Sequence, residues 1–325
     1  MSNTATVFMF SGQGSHYHRM GAALYESNAV FRDWMQRLDA VAHTLCGKHV
    51  LDAIGSGEKS ATFDRTLLTH PAIFMVEYSL AQCLMHAGVR PDVTLGASLG
   101  SFVAATIAGC LDVEHALAAV IAQANAFEAT CERGGMIAVL AEPSLYDESF
   151  LSERSEMAGV NFATHFAVSA AHGELDAIEA ALRQRGVAHQ RLAVSYAFHS
   201  RWIDNARDTF AETMRATPLR APALPVVCCD RAATLARLPD DFFWNVVRRP
   251  IRFRDAIAHR EALGAHRYID VGPSGTLATF VKYALPATSR STAHAILTPY
   301  GRDVKNFDAL LAEYRDAGAA ALPAS

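Results

Sequence analysis

Hydrophobic positions along the chain fall into short continuous runs and stretches of helical spacing, the pattern of strands and helices sharing one core. Thr6-Val7-Phe8-Met9-Phe10 is an apolar run that meets a turn signal, Ser11-Gly12-Gln13-Gly14-Ser15, and reads as a buried strand. Helical spacing follows from Met20 through Leu38. A second apolar helix is predicted over Ala72–His86, with Pro71 near its start, where a missing N–H costs least. Gly88 breaks that pattern, and Pro91-Asp92-Val93-Thr94-Leu95 leads a short strand into Gly96. Two Ala-rich helices are expected next, Phe102–Ala108 and Val113–Glu128, parted at Gly109.

The pattern changes character at Gly134-Gly135. From Met136 to Val194 it reads as strand (Met136–Leu140), helix, strand (Val160–Phe162, Ala167–Ser169), helix (Leu175–Gln184) and strand (Gln190–Val194). Short strands with two helices in that order fit a small ferredoxin-like α+β unit. After Phe198-His199-Ser200 the larger pattern resumes with a helix from Trp202 to Ala216 and a strand over Pro225–Cys229. A helix around Phe253–Leu263, a strand over Arg267–Val271, a turn at Gly272-Pro273-Ser274-Gly275 and a helix into Tyr283 complete it. The small unit, 134–198, therefore reads as inserted into a large one formed by 1–133 and 199–325. The tail 316–325 is rich in small residues and expected to fray.

Composition narrows the class. A chain of 325 residues, 51% apolar, has material for a sizeable core. A formal charge of −4 argues against nucleic acid as a partner. Residues 1–6 lack a basic region followed by an apolar run, so no signal peptide is expected. No stretch reaches the ~18 apolar residues of a spanning helix, since Val103–Leu111 stops at Asp112; no membrane association is expected. Six cysteines, scattered apart from the pair Cys228-Cys229, match neither a zinc site nor a disulfide framework, which fits reduced thiols in a cytoplasm. No His, Cys, Asp or Glu cluster has ligand spacing, so neither metal nor organic cofactor is expected.

The chemistry points to a nucleophile. Gly96-Ala97-Ser98-Leu99-Gly100 matches G-x-S-x-G, with a strand running in and an apolar helix running out. That context separates a nucleophile elbow from a plain glycine-rich turn, because a sharp strand-to-helix turn lifts the serine hydroxyl clear of the sheet. The helix start also directs backbone N–H groups at the serine, with Leu99 N–H as the natural first oxyanion donor. A serine hydroxyl needs a base. His115 and His259 fall in polar helical stretches and His16 and His18 in a surface-like loop, whereas His199 ends the segment where the small unit returns to the large one. A domain junction is where a cleft would lie. On spacing alone a structural histidine is the simpler reading. No Asp stands out as a third member, so a Ser–His dyad held by a backbone carbonyl is the expected form.

These residues carry a resemblance. The chain resembles the malonyl-CoA:acyl carrier protein transacylases and the acyltransferases of polyketide synthases over nearly its whole length. The shared motifs, in order, are Phe10–Ser15, Thr69-His70-Pro71-Ala72, Gly96–Gly100, Val160-Asn161-Phe162, Ala197-Phe198-His199-Ser200, Pro250-Ile251-Arg252-Phe253 and Asp270-Val271-Gly272-Pro273. The resemblance implies an α/β fold: an α/β-hydrolase-like large subdomain, an inserted ferredoxin-like small one, and a site between them. It implies Ser98 as nucleophile, His199 as base, and the N–H groups of Gln13 and Leu99 as oxyanion hole. It places the histidine-orienting carbonyl at about Val246, and Ala97, Phe198, Asn161 and Gln123 around the substrate.

Two departures from that pattern matter. The residue before the nucleophile is usually histidine and here is Ala97. Malonyl-using members carry an arginine 25 residues beyond the serine, where this chain has Gln123. A neutral amide cannot replace a guanidinium that grips a carboxylate bidentately. The implied substrate is therefore an acyl group without a free carboxylate, held on an acyl carrier protein by phosphopantetheine or on coenzyme A. The pattern resembles the trans-acting acyl hydrolases of polyketide assembly lines, which clear stalled acyl groups from carrier proteins with water as acceptor. The alternatives are an acyltransferase loading malonyl or a neutral unit, a non-catalytic docking homologue, and more remotely a lipase-like hydrolase. Arg248 and Arg249, with Arg252 and Arg254 beyond them and Arg183, Arg185 and Arg191 on the small unit, form a candidate basic rim for an acidic carrier protein. The plainer reading of that rim is a solvated face of internal salt bridges.

Overall fold

The computed structural model describes residues 4–58 and 61–320. Among these residues the strands are β1 (Ala5–Phe10), β2 (Val93–Gly96), β3 (Gly134–Val139), β4 (Glu156–Phe162), β5 (His165–Ala171), β6 (His189–Arg191), β7 (Val226–Cys228), β8 (Ala233–Leu235), β9 (His266–Asp270) and β10 (Thr292–Ala295). They make two sheets. The larger has the order β10-β9-β1-β2-β7-β8, parallel except for the antiparallel β7–β8 pair.

Alternation along β1 shows why that strand is apolar throughout. Phe8 and Phe10 enter one core with Phe31, Phe74, Phe102 and Phe127, while Val7 and Met9 enter another with Phe253, Ile257, Leu277 and Val281. Both faces are covered by helices, so nothing in the strand is left for water. The central strands β9, β1 and β2 are parallel neighbours, so their C-terminal ends share one edge of the sheet. Open α/β sheets present their ligand crevice at that edge. Three turns lie there: 11–15 after β1, 97–99 after β2 and 271–275 after β9.

The smaller sheet, order β4-β5-β3-β6, is antiparallel throughout and has the strand order of a βαββαβ ferredoxin-like unit. Alternation again divides its residues. Ile137, Val139, Phe166 and Val168 pack with Leu175, Ile178 and Leu182 of the helix His172–Gln184. Met136, Ala138 and Ala167 face the other way, toward the large sheet. A backbone stitch joins β4 to the segment before the helix Phe253–Glu261: Val160 N–H donates to Ile251 O at 2.8 Å and Ile251 N–H to Ala158 O at 2.8 Å. The close approach requires Gly159, since a Cβ there would lie 2.8 Å from Ile251 Cβ.

Several element limits differ from the sequence reading. The second long helix begins at Thr66, so Pro71 lies inside it and not in its first turn. The spacing over Met20–Leu38 belongs to two helices, Ala22–Ser27 and Ala29–Cys46, divided at Asn28, whose side chain caps the second by accepting from Phe31 N–H at 3.1 Å. Arg201–Ala206 is a 3₁₀ stretch ahead of the helix Arg207–Arg215. The tail expected to fray is helical as far as Ala320; residues 321–325 lie outside those described. Among the described residues no helix is long and apolar enough to cross a membrane.

Candidate active site

Ser98 sits where β2 passes into the helix Gly100–Ile107, with φ of 54°. A non-glycine residue in that region costs on the order of 1 kcal/mol or more and is held only by its surroundings. Ala97 N–H donates to Phe10 O at 2.9 Å and Gly100 N–H to Ala97 O at 3.1 Å, which closes the turn. The flanking glycines make room: a Cβ at Gly96 would be 2.3 Å from Ser101 Cα, and one at Gly100 would be 2.1 Å from Phe10 O.

His199 also has a left-handed backbone, φ 62°, and is buried. Its N–H donates to Val247 O at 2.9 Å. Its Nδ1 lies 2.7 Å from Arg249 O and its Nε2 2.9 Å from Ser98 Oγ. Because a carbonyl can only accept, Nδ1 carries the proton and Nε2 presents its lone pair to the serine hydroxyl. The imidazole is therefore oriented without a carboxylate. The carbonyl that does it belongs to Arg249, which corrects the expectation of Val246. Val246 is inside the helix Phe242–Arg248, whereas Arg249 is the first residue past its end, with extended φ and ψ of −87° and 155°.

Burial lowers His199 to about 4, with the nearby Arg248 charge pushing the same way and the Arg249 carbonyl opposing. The imidazole is thus neutral, and able to accept a proton, across the ordinary pH range. Any reaction that uses His199 as base is expected to have a kcat/KM profile that stays level from about pH 7 to 5 and falls with an apparent pKa near 4. An acid limb near 6.5 would show instead that the imidazole titrates as if in water.

The turn 11–15 abuts Ser98: a Cβ on Gly12 would lie 2.9 Å from Ser98 Cβ. Gln13 Nε2 donates to Thr69 Oγ1 at 2.7 Å, which fixes the side chain and leaves Gln13 on the cleft wall beside Ser98. Leu99 immediately precedes the helix Gly100–Ile107, and is buried. Leu99 thus follows Ser98 directly in the chain, and Gln13 lines the same cleft as Ser98.

A cleft of about 270 Å³ surrounds Ser98 and His199. Ala97, Phe198 and Asn161 line it, with Met136, Ala138 and Ala167 from the small sheet, and Leu277 and Phe280. Its lining has no Arg, Lys, Asp or Glu. The two titratable groups are His199 and His165, and burial lowers His165 as well. Gln123 does not reach this cleft, which corrects its placement among the substrate contacts. It is fully buried on the helix Val113–Thr130, where its Nε2 donates to the Phe243 carbonyl at 3.5 Å. An amide is two atoms shorter than a guanidinium, so the same Cα position does not deliver the same functional group.

Sequence reasoning missed His165, whose Nδ1 lies 3.0 Å from Asn161 Nδ2 on the cleft wall. The alternation His165, Ala167, Ser169 along β5 was the available signal. His16 and His18, read as surface-like, are buried instead; His16 Nε2 lies 2.5 Å from Phe63 O. Most of the expected basic rim is paired. Arg248 binds Asp204 at 2.5 Å and lies 3.9 Å from Glu156, Arg191 binds Asp176 and Glu179, and Arg252 and Arg254 share Asp255. Arg249 is half-exposed and 4.0 Å from Asp230. Among the described residues no group of three His, Cys, Asp or Glu could hold a metal ion.

Comparison with known proteins gives a consistent picture. The family described as acyl transferase domain matches residues 7–321. The chain is 43% identical over 304 residues to a polyketide biosynthesis acyltransferase homolog, BaeD, of Bacillus velezensis, covering 93% of this chain and 94% of that one. It is 40% identical over 309 residues to the homolog PksD of Bacillus subtilis, covering 94% and 95%. Among solved structures, the acyltransferase domain from the second module of the salinomycin polyketide synthase superposes with a TM-score of 0.84 at 29% identity, covering 95% of this chain and 73% of that one.

Proposed function

The chain belongs to the acyl transferase domain family, and on that premise we propose that it is a trans-acting acyl hydrolase that frees acyl groups from carrier-protein thioesters. The observation that carries this reading is the absence of any cation from the cleft around Ser98 and His199. A malonyl carboxylate placed there would lose its hydration with no counter-charge, at a cost of several kcal/mol. A neutral acyl chain against Met136, Ala138, Ala167 and Phe280 has no such cost.

The steps follow from the geometry. Ser98 Oγ attacks the thioester carbonyl carbon while its proton passes to His199 Nε2. The carbonyl oxygen becomes an oxyanion facing the N–H groups of Gln13 and Leu99. Collapse breaks the C–S bond, the departing thiolate takes the proton from His199, and the acyl group remains as a Ser98 ester. A water then gives its proton to His199 and adds to the ester carbon. Collapse of this second adduct releases the carboxylic acid and returns the proton to Ser98 Oγ. In this reading the site lies between the subdomains 1–133 with 199–325 and 134–198, and the phosphopantetheine arm of an acyl carrier protein enters the cleft.

The test is incubation with carrier protein loaded with acetyl, butyryl or malonyl groups, followed by intact mass. Free acid released from acetyl and butyryl loads, with malonyl left in place, is the expected result. Transfer to a second carrier with little acid released would favour an acyltransferase that loads a neutral unit, and rapid malonyl turnover would overturn the neutral-substrate reading. A docking homologue without chemistry is disfavoured by a base 2.9 Å from a strained serine.

The half-exposed Arg249, 4.0 Å from Asp230, has the longest ion pair of the Arg248–Arg254 run. Arg249→Glu is expected to lower kcat/KM for a carrier-bound acyl group about fivefold relative to a small thioester, through slower encounter. Equal losses on both substrates would assign the effect to the backbone that holds His199.

A further inference from the structure

Glu77 is a buried ionisable group that contacts the turn 11–15 and that no step above uses. It sits on the helix Thr66–His86, whose residues from Thr69 to Ala81 are all buried. One carboxyl oxygen, Oε1, accepts both from Ser11 N–H at 2.7 Å and from Ser11 Oγ–H at 2.8 Å. Its other oxygen, Oε2, has no hydrogen-bond partner among the described residues. Burial holds the group well above the usual carboxylate range and the nearby Asp270 adds to that, while the two bonds from Ser11 pull the other way.

Ser11 is the first residue of the turn that carries Gln13. From it, Ser11 Oγ lies 2.9 Å from Ser15 Oγ, and Ser15 Oγ–H donates to Gly12 O at 2.7 Å. Two turns before Glu77 on the same helix, Thr69 Oγ1 accepts from Gln13 Nε2 at 2.7 Å. One helix therefore grips the turn at both its entry and its centre. The Gln13 side chain and the Ser11 backbone are fixed by residues that touch no substrate.

We propose that Glu77 is a positioning residue for the oxyanion hole: by holding Ser11 it sets the direction of the Gln13 N–H toward Ser98. The inference rests on the reading of Gln13 as an oxyanion donor. Removing the acceptor would leave the Ser11 N–H buried and unpaired, with the Ser11 hydroxyl left only Ser15 Oγ at 2.9 Å to turn to, and the turn would shift to find a partner. A neutral amide presents the same acceptor oxygen, so Glu77→Gln should rescue what Glu77→Leu loses.

The experiment compares wild type, Glu77→Leu, Glu77→Gln and Ser11→Ala in the full chain. Each is measured for kcat and KM with a short acyl thioester and for inhibition by a short-chain trifluoromethyl ketone. That ketone is attacked by Ser98 Oγ as His199 takes the proton, and its oxygen becomes a stable oxyanion in the hole. Glu77→Leu is expected to lower kcat about 30-fold with KM little changed, and to weaken the ketone by a similar factor, a fraction of what deleting an oxyanion donor costs. Ser11→Ala keeps the backbone bond and should show a smaller loss of the same kind; it carries the test if Glu77→Leu does not fold. Glu77→Gln should restore both values to within about threefold of wild type. Wild-type ketone affinity in Glu77→Leu, or in Ser11→Ala should the former not fold, would overturn the proposal. So would a fall in melting temperature with kcat unchanged. If wild type itself forms neither acyl-enzyme nor ketone adduct, the failure belongs to the functional reading instead.

Discussion

Ser98→Ala is expected to abolish the acyl-enzyme and to lower acyl release by about 10⁴-fold or more, while the protein folds as before. Alanine removes only the oxygen; the backbone at φ 54° and the packing of the turn are unchanged. What survives is the contribution of binding and of the oxyanion donors, which in serine enzymes leaves a small residual rate. His199→Ala should cost a similar factor, and the double variant little more, because the two act as a unit across 2.9 Å. Intact mass after a pulse of acyl-loaded carrier, with a thermal melt as control, decides the matter. A covalent adduct persisting in Ser98→Ala would remove the basis of the mechanism.

The second large effect concerns a residue without a side chain. Gly100→Ala is expected to cost about 3 kcal/mol or more and to lower the melting temperature by roughly 5–10 °C. The added Cβ would lie 2.1 Å from Phe10 O, 2.3 Å from Phe10 C and 2.5 Å from Ser11 O. All three are backbone atoms, so no rotamer change can make room; β1 itself would have to move. Because β1 ends in the turn that carries Gln13, activity should fall further than the loss of folded protein explains. A variant melting within about 1 °C of wild type would show that the two segments separate more easily than their contact implies.

The strained turn at Ser98 is legible in the sequence because its constraint is local. A strand, a G-x-S-x-G turn and an apolar helix lie side by side in the chain, and the steric need for Gly96 and Gly100 is written in the residues themselves. His199 was found through a resemblance and the junction it occupies. Its carbonyl partner was misplaced by three residues, nearly one turn, since the end of the helix Phe242–Arg248 decides which carbonyl is free and no residue there marks that end sharply. Gln123 was found by counting along a helix, but counting gives a Cα position and not a reach. Its distance from the cleft depends on packing that no local pattern encodes. His16 and His18 illustrate the same limit, because their burial under Phe63 is purely tertiary. Glu77 did carry a signal, as a lone acid within the apolar run Ala72–Leu84.

The stitch between Ala158, Val160 and Ile251 has a consequence for how substrate reaches the serine. Ile251 is two residues from the carbonyl that orients His199, and Ser169 Oγ–H donates to the carbonyl of Phe198 just before it. The small sheet is thus tied to the base by both of the chains that hold the imidazole. A clamshell motion wide enough to admit a folded partner would drag the imidazole off the hydroxyl. In the proposed reaction the acyl group would instead arrive end-on, as a thread through an eyelet, on a slender tether whose carrier keeps its bulk outside.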